Sequence, residues 1–252
     1  MFKLGRKKRT FNPKIAHMSA ILGARKAIIP PPSVDWTHGI NNFGIMLNDN
    51  LGDCTCAGIY HAIQIWSANT LIEQTEPDNV VLSLYEQACG YKPGDESTDN
   101  GGVEQDLLSY CVNTGVPLSN GQREKFLCFI EVDPRNINDV KTTIDEFGLA
   151  YIGIDVPNSL YDQNGDPKLV WDVDPNDTST EGGHCIILVG YDADGATVIS
   201  WGQKYKMTWA FFRQFTDEVY AIVSQNWINS QGKTPLGLTV EELDNIAATI
   251  KE

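Results

Sequence analysis

The sequence predicts an α+β fold, with helices first and a sheet second. Three observations carry this expectation. From residue 54 the stretch "CTCAGIYHAIQIWSANTL" holds no proline and repeats Ile59, Ile63 and Trp66 at helical spacing. After Gly148 the pattern changes to apolar runs parted by turn residues, "LAYIGIDV", "HCIILVGYDADGATVISWG" and "VYAIVSQNWI", which read as strands. With 252 residues and 42% hydrophobic content the chain can bury a sizeable core, and helices followed by sheet suggest two subdomains with a cleft between them.

Residues 1–30 read as a basic arm, with a short helix over "KIAHMSAILGARKA". The prolines of "IIPPPS" end it, because proline lacks the amide hydrogen and clashes with the preceding turn. The main domain then runs over 31–252, starting near Val34. Asp53 is a natural N-cap for the first long helix and places Cys54 in its first turn. Further helices are expected at 79–89, at 103–114 closed by Gly115, and at 136–147 closed by Gly148, since glycine accepts the left-handed conformation that ends helices. The helical part thus covers about 48–147 and the sheet part about 148–228, with a hairpin turned at "DADG". In the tail, Thr239 is followed three residues later by Glu242, a capping box that predicts a closing helix over 239–250.

Charge is unevenly placed. Residues 1–26 contain eight Lys/Arg (Lys3, Arg6, Lys7, Lys8, Arg9, Lys14, Arg25, Lys26) and no acid, which leaves 11 bases against 33 acids, or −22, for the remainder. Such an arm can fold back on its own acidic body, stay disordered, or bind an acidic partner; the sequence leaves these open. The acidic body argues against nucleic acid as the main ligand, because phosphate binding relies on Lys/Arg. No run of eighteen apolar residues exists, so no membrane span is expected. The N-terminus has positive charge without the apolar core or cleavage site of a signal peptide, which predicts a cytoplasmic protein not exported by the general secretory route.

Six irregularly spaced cysteines do not make a disulfide framework and read as thiols in a reducing compartment. Cys54 and Cys56 lack a second pair or a histidine cluster at zinc spacing, and the acidic loops "WDVDPNDTSTEGG" and "DADG" lack the Gly-then-Glu of a calcium loop. Neither a metal nor a cofactor is expected.

Chemistry centres on Cys54. At a helix N-terminus a cysteine meets unpaired N–H groups and the positive end of the dipole, both of which favour thiolate. Cys56 is rotated by roughly 200° and faces the interior. A base is needed, and three of the four histidines are poorly placed: His17 is in the arm, His38 in a loop, and His61 two turns along the same helix, about 10 Å away. His184 opens a predicted core strand in "EGGHCIILVGY", just after two glycines. Each residue alone also fits a bland role, a buried thiol or a strand histidine.

Together the motifs resemble the papain-like cysteine peptidases. "PPSVDWTHGINNFGIMLNDNLGDCTCAG" is similar to the family's mature N-terminus, with Val34-Asp35-Trp36 as V-D-W and eighteen residues from Trp36 to Cys54. "NGG" at 100–102, "GGHCIILVGY" and "SWG" at 200–202 are similar to the family's N-G-G, G-H-A-V-x-x-V-G-Y and N-S-W-G, in the same order. His184 falls 130 residues after Cys54. The resemblance runs from about residue 30 to about 225. It implies a helical and a sheet subdomain flanking a cleft, Cys54 as nucleophile, His184 as base, and Trp201 as a shield. Asn48 stands where the family has its oxyanion-hole glutamine, with the Cys54 amide as second donor. Ile199 replaces the orienting asparagine and cannot accept from imidazole, but Ser200, sixteen residues after His184, is a possible orienter. Leu51 replaces the usual disulfide cysteine.

The implied function is thiol-dependent hydrolysis of a peptide or related amide by acyl transfer, with a peptide or protein substrate in the cleft. A second reading, favoured by Ile199 and Asn48, is a weak or inactive papain fold kept as a binding or structural module, for instance in a bacteriophage virion.

Overall fold

The structure, a computed structural model, describes residues 2–23, 28–70 and 72–251, the last through its backbone. In chain order a short strand β1 (Arg6–Lys7), one helical turn α1 (Met18–Leu22) and a second short strand β2 (Val34–Asp35) precede the helical half. That half holds α2 (Cys54–Ala68), α3 (Asp78–Cys89), β3 (Gly102–Val103), α4 (Glu104–Asn113), the small hairpin β4 (Val116–Pro117) and β5 (Arg123–Glu124), β6 (Phe126–Glu131) and α5 (Ile137–Phe147). The sheet half follows with β7 (Ala150–Val156), β8 (Val170–Trp171), β9 (Gly182–Tyr191), β10 (Gly195–Ser200), β11 (Gln203–Thr208), α6 (Trp209–Phe215), β12 (Thr216–Ser224), α7 (Gln225–Gln231) and α8 (Val240–Lys251).

One sheet organises the molecule, with strand order β6-β12-β7-β9-β10-β11-β8 and pairs that are antiparallel except β11 with β8. Alternate side chains of its strands face two cores. Ile187 and Val189 of β9 pack with α2, whereas Ile186 and Leu188 pack on the far side with α5 and α6. Helix α2 is buried from Cys54 to Ser67, on every face, as expected of a helix lying inside a domain rather than on its surface. Polar contacts fix its place. Tyr151 Oη on β7 donates to Thr55 O at 2.9 Å, and Trp66 Nε1 donates to Phe147 O at 2.9 Å.

The expected helices at 79–89, 103–114 and 136–147 appear as α3, α4 and α5, and the hairpin at "DADG" joins β9 to β10. The capping box forms in full: Thr239 N–H donates to Glu242 at 2.7 Å and Glu242 N–H to Thr239 Oγ1 at 3.1 Å. Other expectations are corrected. "VYAIVSQNWI" is strand only to Ser224, whose hydroxyl accepts from Asn226 N–H and starts α7. "FLCFIE" at 126–131, left unassigned among the helices, is the sheet-edge strand β6, a short apolar run too brief for its period to show. β11 and α6 add a strand and a helix within the stretch 148–228. The arm helix is shorter than expected, Met18–Leu22, and 24–27, including Arg25 and Lys26, lie outside the described residues.

The arm is docked on the body. Met18 and Ile15 are buried, Glu131 N–H donates to Ala16 O at 2.8 Å, and β1 pairs with both β3 and β9. Of the outcomes the charge pattern left open, the structure shows self-docking.

Gly148 ends α5 with φ +81°, and a Cβ there would lie 2.9 Å from the Trp227 ring. We expect Gly148→Ala to lower stability by about 1–2 kcal/mol, from positive-φ strain and the ring contact. The midpoint of a urea titration reads this; an unchanged midpoint would show that the turn carries no strain.

Candidate active site

Cys54 opens α2 directly under the sheet. Its Sγ accepts from the backbone N–H of Cys185, the residue after His184 on β9, at 3.4 Å. Helix α2 thereby sets the Cys54 sulfur against the strand residue that follows His184 on β9. The thiol is fully buried, and burial pushes its pKa up to about 12, although the N–H groups of Cys185 and Gly5 pull the other way. The helix-terminus expectation of a favoured thiolate is thus overturned in this closed arrangement, where desolvation outweighs the dipole.

His184 is equally enclosed. Its Nε2 lies 2.7 Å from Ser200 Oγ, while Nδ1 has no hydrogen-bond partner among the described residues. Burial, and second the nearby Arg6 cation, draw the imidazole down to about 3. Ser200 reaches the ring because consecutive strand residues face opposite ways: Ile199, the residue aligned with the family's asparagine, packs in the α2 core, which leaves Ser200 on the histidine side. Trp201 covers the pair, with its ring stacked on His184 at 4.3 Å and 9°.

Asn48 is buried beside the helix start, but its amide is engaged: Nδ2 donates to Asp53 Oδ1 at 3.2 Å and more weakly to Leu51 O at 3.4 Å. Asp53 occupies the N-cap position without capping through its side chain. Its carboxyl is instead held by Asn48, and burial raises its pKa well above the usual range. His61 sits apart, bonded through Nε2 to Gly44 O at 3.1 Å, as its distance along the helix predicted.

Sequence reading did not foresee what lies over the sulfur. Phe2 stacks on Trp201 with ring centroids 5.1 Å apart, and Gly5 passes so close to the loop before Cys54 that a Cβ on it would lie 1.8 Å from Gly52 O. Gly5 O accepts from Gly102 N–H at 2.8 Å, so that β1 runs parallel to β3 and antiparallel to β9, spanning the junction between helical and sheet halves. Arg6 then turns its guanidinium into the interior among Glu104, Asp155, Asp217 and Glu218. The only sequence signal was the basic run "GRKKR", which does not say which base is buried.

Among the other thiols, Cys89 is half-buried and its pKa is lowered, chiefly by a hydrogen bond with Cys56. Iodoacetamide should therefore modify Cys89 before Cys54 in the intact chain between about pH 6 and 8, with Cys54 slower than a free thiol. Peptide mapping reads the order. Rapid labelling of Cys54 in the intact chain would contradict the closed arrangement.

No family model matches the sequence, and no curated protein matches it. Solved structures do. Xylellain, a cysteine protease from Xylella fastidiosa, superposes with a TM-score of 0.67 over 88% of this chain and 96% of its own, at 17% identity. A Carica candamarcensis cysteine protease bound to E-64 gives 0.52 over 77% and 99%, at 15% identity. The bromelain protease of Ananas comosus, also with E-64, gives 0.51 over 77% and 100%, at 12% identity. The helix bearing Cys54, the strand bearing His184 and these superpositions converge: the chain has the fold of the papain-like cysteine proteases.

Proposed function

We propose that the chain is a thiol peptidase whose arm holds it in a latent state. The observation that carries this is the placement of Cys54 Sγ against the backbone that bears His184, with Ser200 Oγ 2.7 Å from Nε2 and Nδ1 without a partner among the described residues. In the Nε2–H tautomer the ring donates to Ser200, and Nδ1 is the free base. Nδ1 takes the Cys54 proton as Sγ attacks the carbonyl carbon of a peptide bond. The C–N bond breaks, the imidazolium returns its proton to the leaving amine, and water releases the acid from the thioester. Charge on the carbonyl oxygen falls to the Cys54 N–H and to Asn48 once its amide turns from Asp53. One such donor is worth about 10²–10³ in rate.

Latency follows from the same geometry. With the thiol pushed up to about 12 and the imidazole drawn down to about 3, both groups are neutral near pH 7. Displacing the arm admits water and removes Arg6, which raises the imidazole and lowers the thiol. The Carica and Ananas proteases are in complex with E-64, and the partner this reading assigns to the present chain is a peptide or protein substrate. Lys3, Arg6, Lys8 and Arg9 pair with the chain's own acids, which disfavours an external acidic partner for that stretch. No helix among the described residues is long and apolar enough to cross a membrane. All six cysteines are free thiols, in keeping with a reducing setting such as the cytoplasm or a virion assembled there.

The engaged Asn48 amide favours a second reading, a papain fold that binds without catalysis. One experiment separates the two. Gly5→Val sets a side chain against Gly52 and should unseat the arm without altering Cys54 or His184. We expect this variant to hydrolyse casein, Cys54→Ala added to it to abolish hydrolysis, and Ser200→Ala to lower kcat by about 10²-fold. Arm release, seen by proteolytic clipping, without Cys54-dependent hydrolysis would leave the binding module.

A further inference from the structure

The side-chain pocket that holds Arg6 is built for a guanidinium. Arg6 follows Gly5, the residue over Cys54, and its side chain has no exposed surface. Nε lies 3.2 Å from Glu104 in the first turn of α4; one terminal nitrogen meets both Glu218 and Asp217 of β12, and the other reaches Ile154 O at 3.5 Å. The floor is Gly153 of β7, where a Cβ would stand 2.1 Å from Nε, so the slot exists because that position carries no side chain. Glu104 is fully buried, and its carboxylate faces Arg6 and the Cys185 thiol. Glu218 is kept in place by Tyr220 Oη, which donates to its Oε2 at 2.7 Å, independently of the arm.

Buried carboxylates demand donors, and a planar fork that reaches several acids at once meets the demand better than an ammonium point charge or an apolar group. Once the arm leaves, the carboxylates lose Arg6, Lys8 and Arg9 together. We propose that this pocket is the specificity site of the cleft and that it selects peptide substrates with arginine one residue from the residue seated over Cys54. The proposal rests on the peptidase reading for its catalytic consequence but not for binding. In the docked chain, Arg6 mimics that side chain.

The test uses the full chain carrying Gly5→Val, and the same chain with Glu218→Gln added, which keeps the size of the acid and its Tyr220 contact. Arg6→Ala supplies a second way of freeing the pocket. Fluorescein-labelled hexapeptides of alanine carry Arg-Gly, Gly-Arg, Lys-Gly, Gly-Lys, Leu-Gly or Gly-Leu at the centre. Binding is read by anisotropy in a Cys54→Ala background and cleavage by mass spectrometry with Cys54 present. One arginine order is expected to exceed its leucine counterpart by at least about tenfold, with lysine between, and Glu218→Gln to collapse that ratio. An arginine preference in binding without cleavage supports the pocket and overturns the peptidase reading. Cleavage with no arginine preference, an unaltered ratio in Glu218→Gln, or no binding of any peptide overturns the pocket.

Discussion

A guanidinium with no exposed surface must be matched by acids, and Arg6 is matched from both halves of the molecule. Glu104 belongs to the helical half, Asp155, Asp217 and Glu218 to the sheet. Removing one partner of such a buried cluster costs about 3–5 kcal/mol, because the charges left behind have neither water nor counterion. The arm is therefore a structural member of the interface rather than a loose tail. The glycines around it follow from this seating. Gly5 against Gly52, Gly101 against Gly5 and Gly153 beneath the guanidinium are all places where a Cβ would collide with backbone or with Arg6 itself.

The state of the candidate nucleophile depends on that seating too. A helix N-terminus favours a negative charge by about 0.3–1 kcal/mol. Burial takes the Cys54 thiol from its ordinary 9.0 to about 12, which corresponds to about 4 kcal/mol in the opposite direction. The larger effect wins, and the sulfur stays protonated while the arm is in place. His184 is held neutral by the same enclosure, with the Arg6 cation adding to it. With both groups neutral, Cys54 and His184 form no thiolate–imidazolium pair in this closed arrangement.

Much of this was legible in the sequence, and what was not has physical reasons. The long helix, the "DADG" hairpin, the Gly148 stop and the Thr239–Glu242 box are set by local interactions, so short windows reveal them. Cys54, His184, Ser200 and Trp201 stand out because their spacing resembles a family; in the structure His184 touches Ser200 and Trp201, and the Cys54 sulfur meets the adjacent Cys185 amide. β6 was missed because six apolar residues read equally as strand or buried helix until a partner strand is known. Asp53 was assigned a cap that it does not make, since the Asn48 amide competes for its carboxylate. Arg6 could not be singled out from its basic neighbours. Its burial depends on acids more than 90 residues away in sequence, and charge composition alone carries no such pairing.

The central claim is that β1 is seated in the interface through Arg6, and amide hydrogen exchange tests it most directly. In the intact chain at about pH 7, peptides covering residues 5–9 and the Gly102 amide should be protected, and Arg6→Ala should abolish protection in both together while α2 keeps its own. Rapid exchange of residues 5–9 in the unsubstituted chain, with Gly102 still protected, would contradict the account.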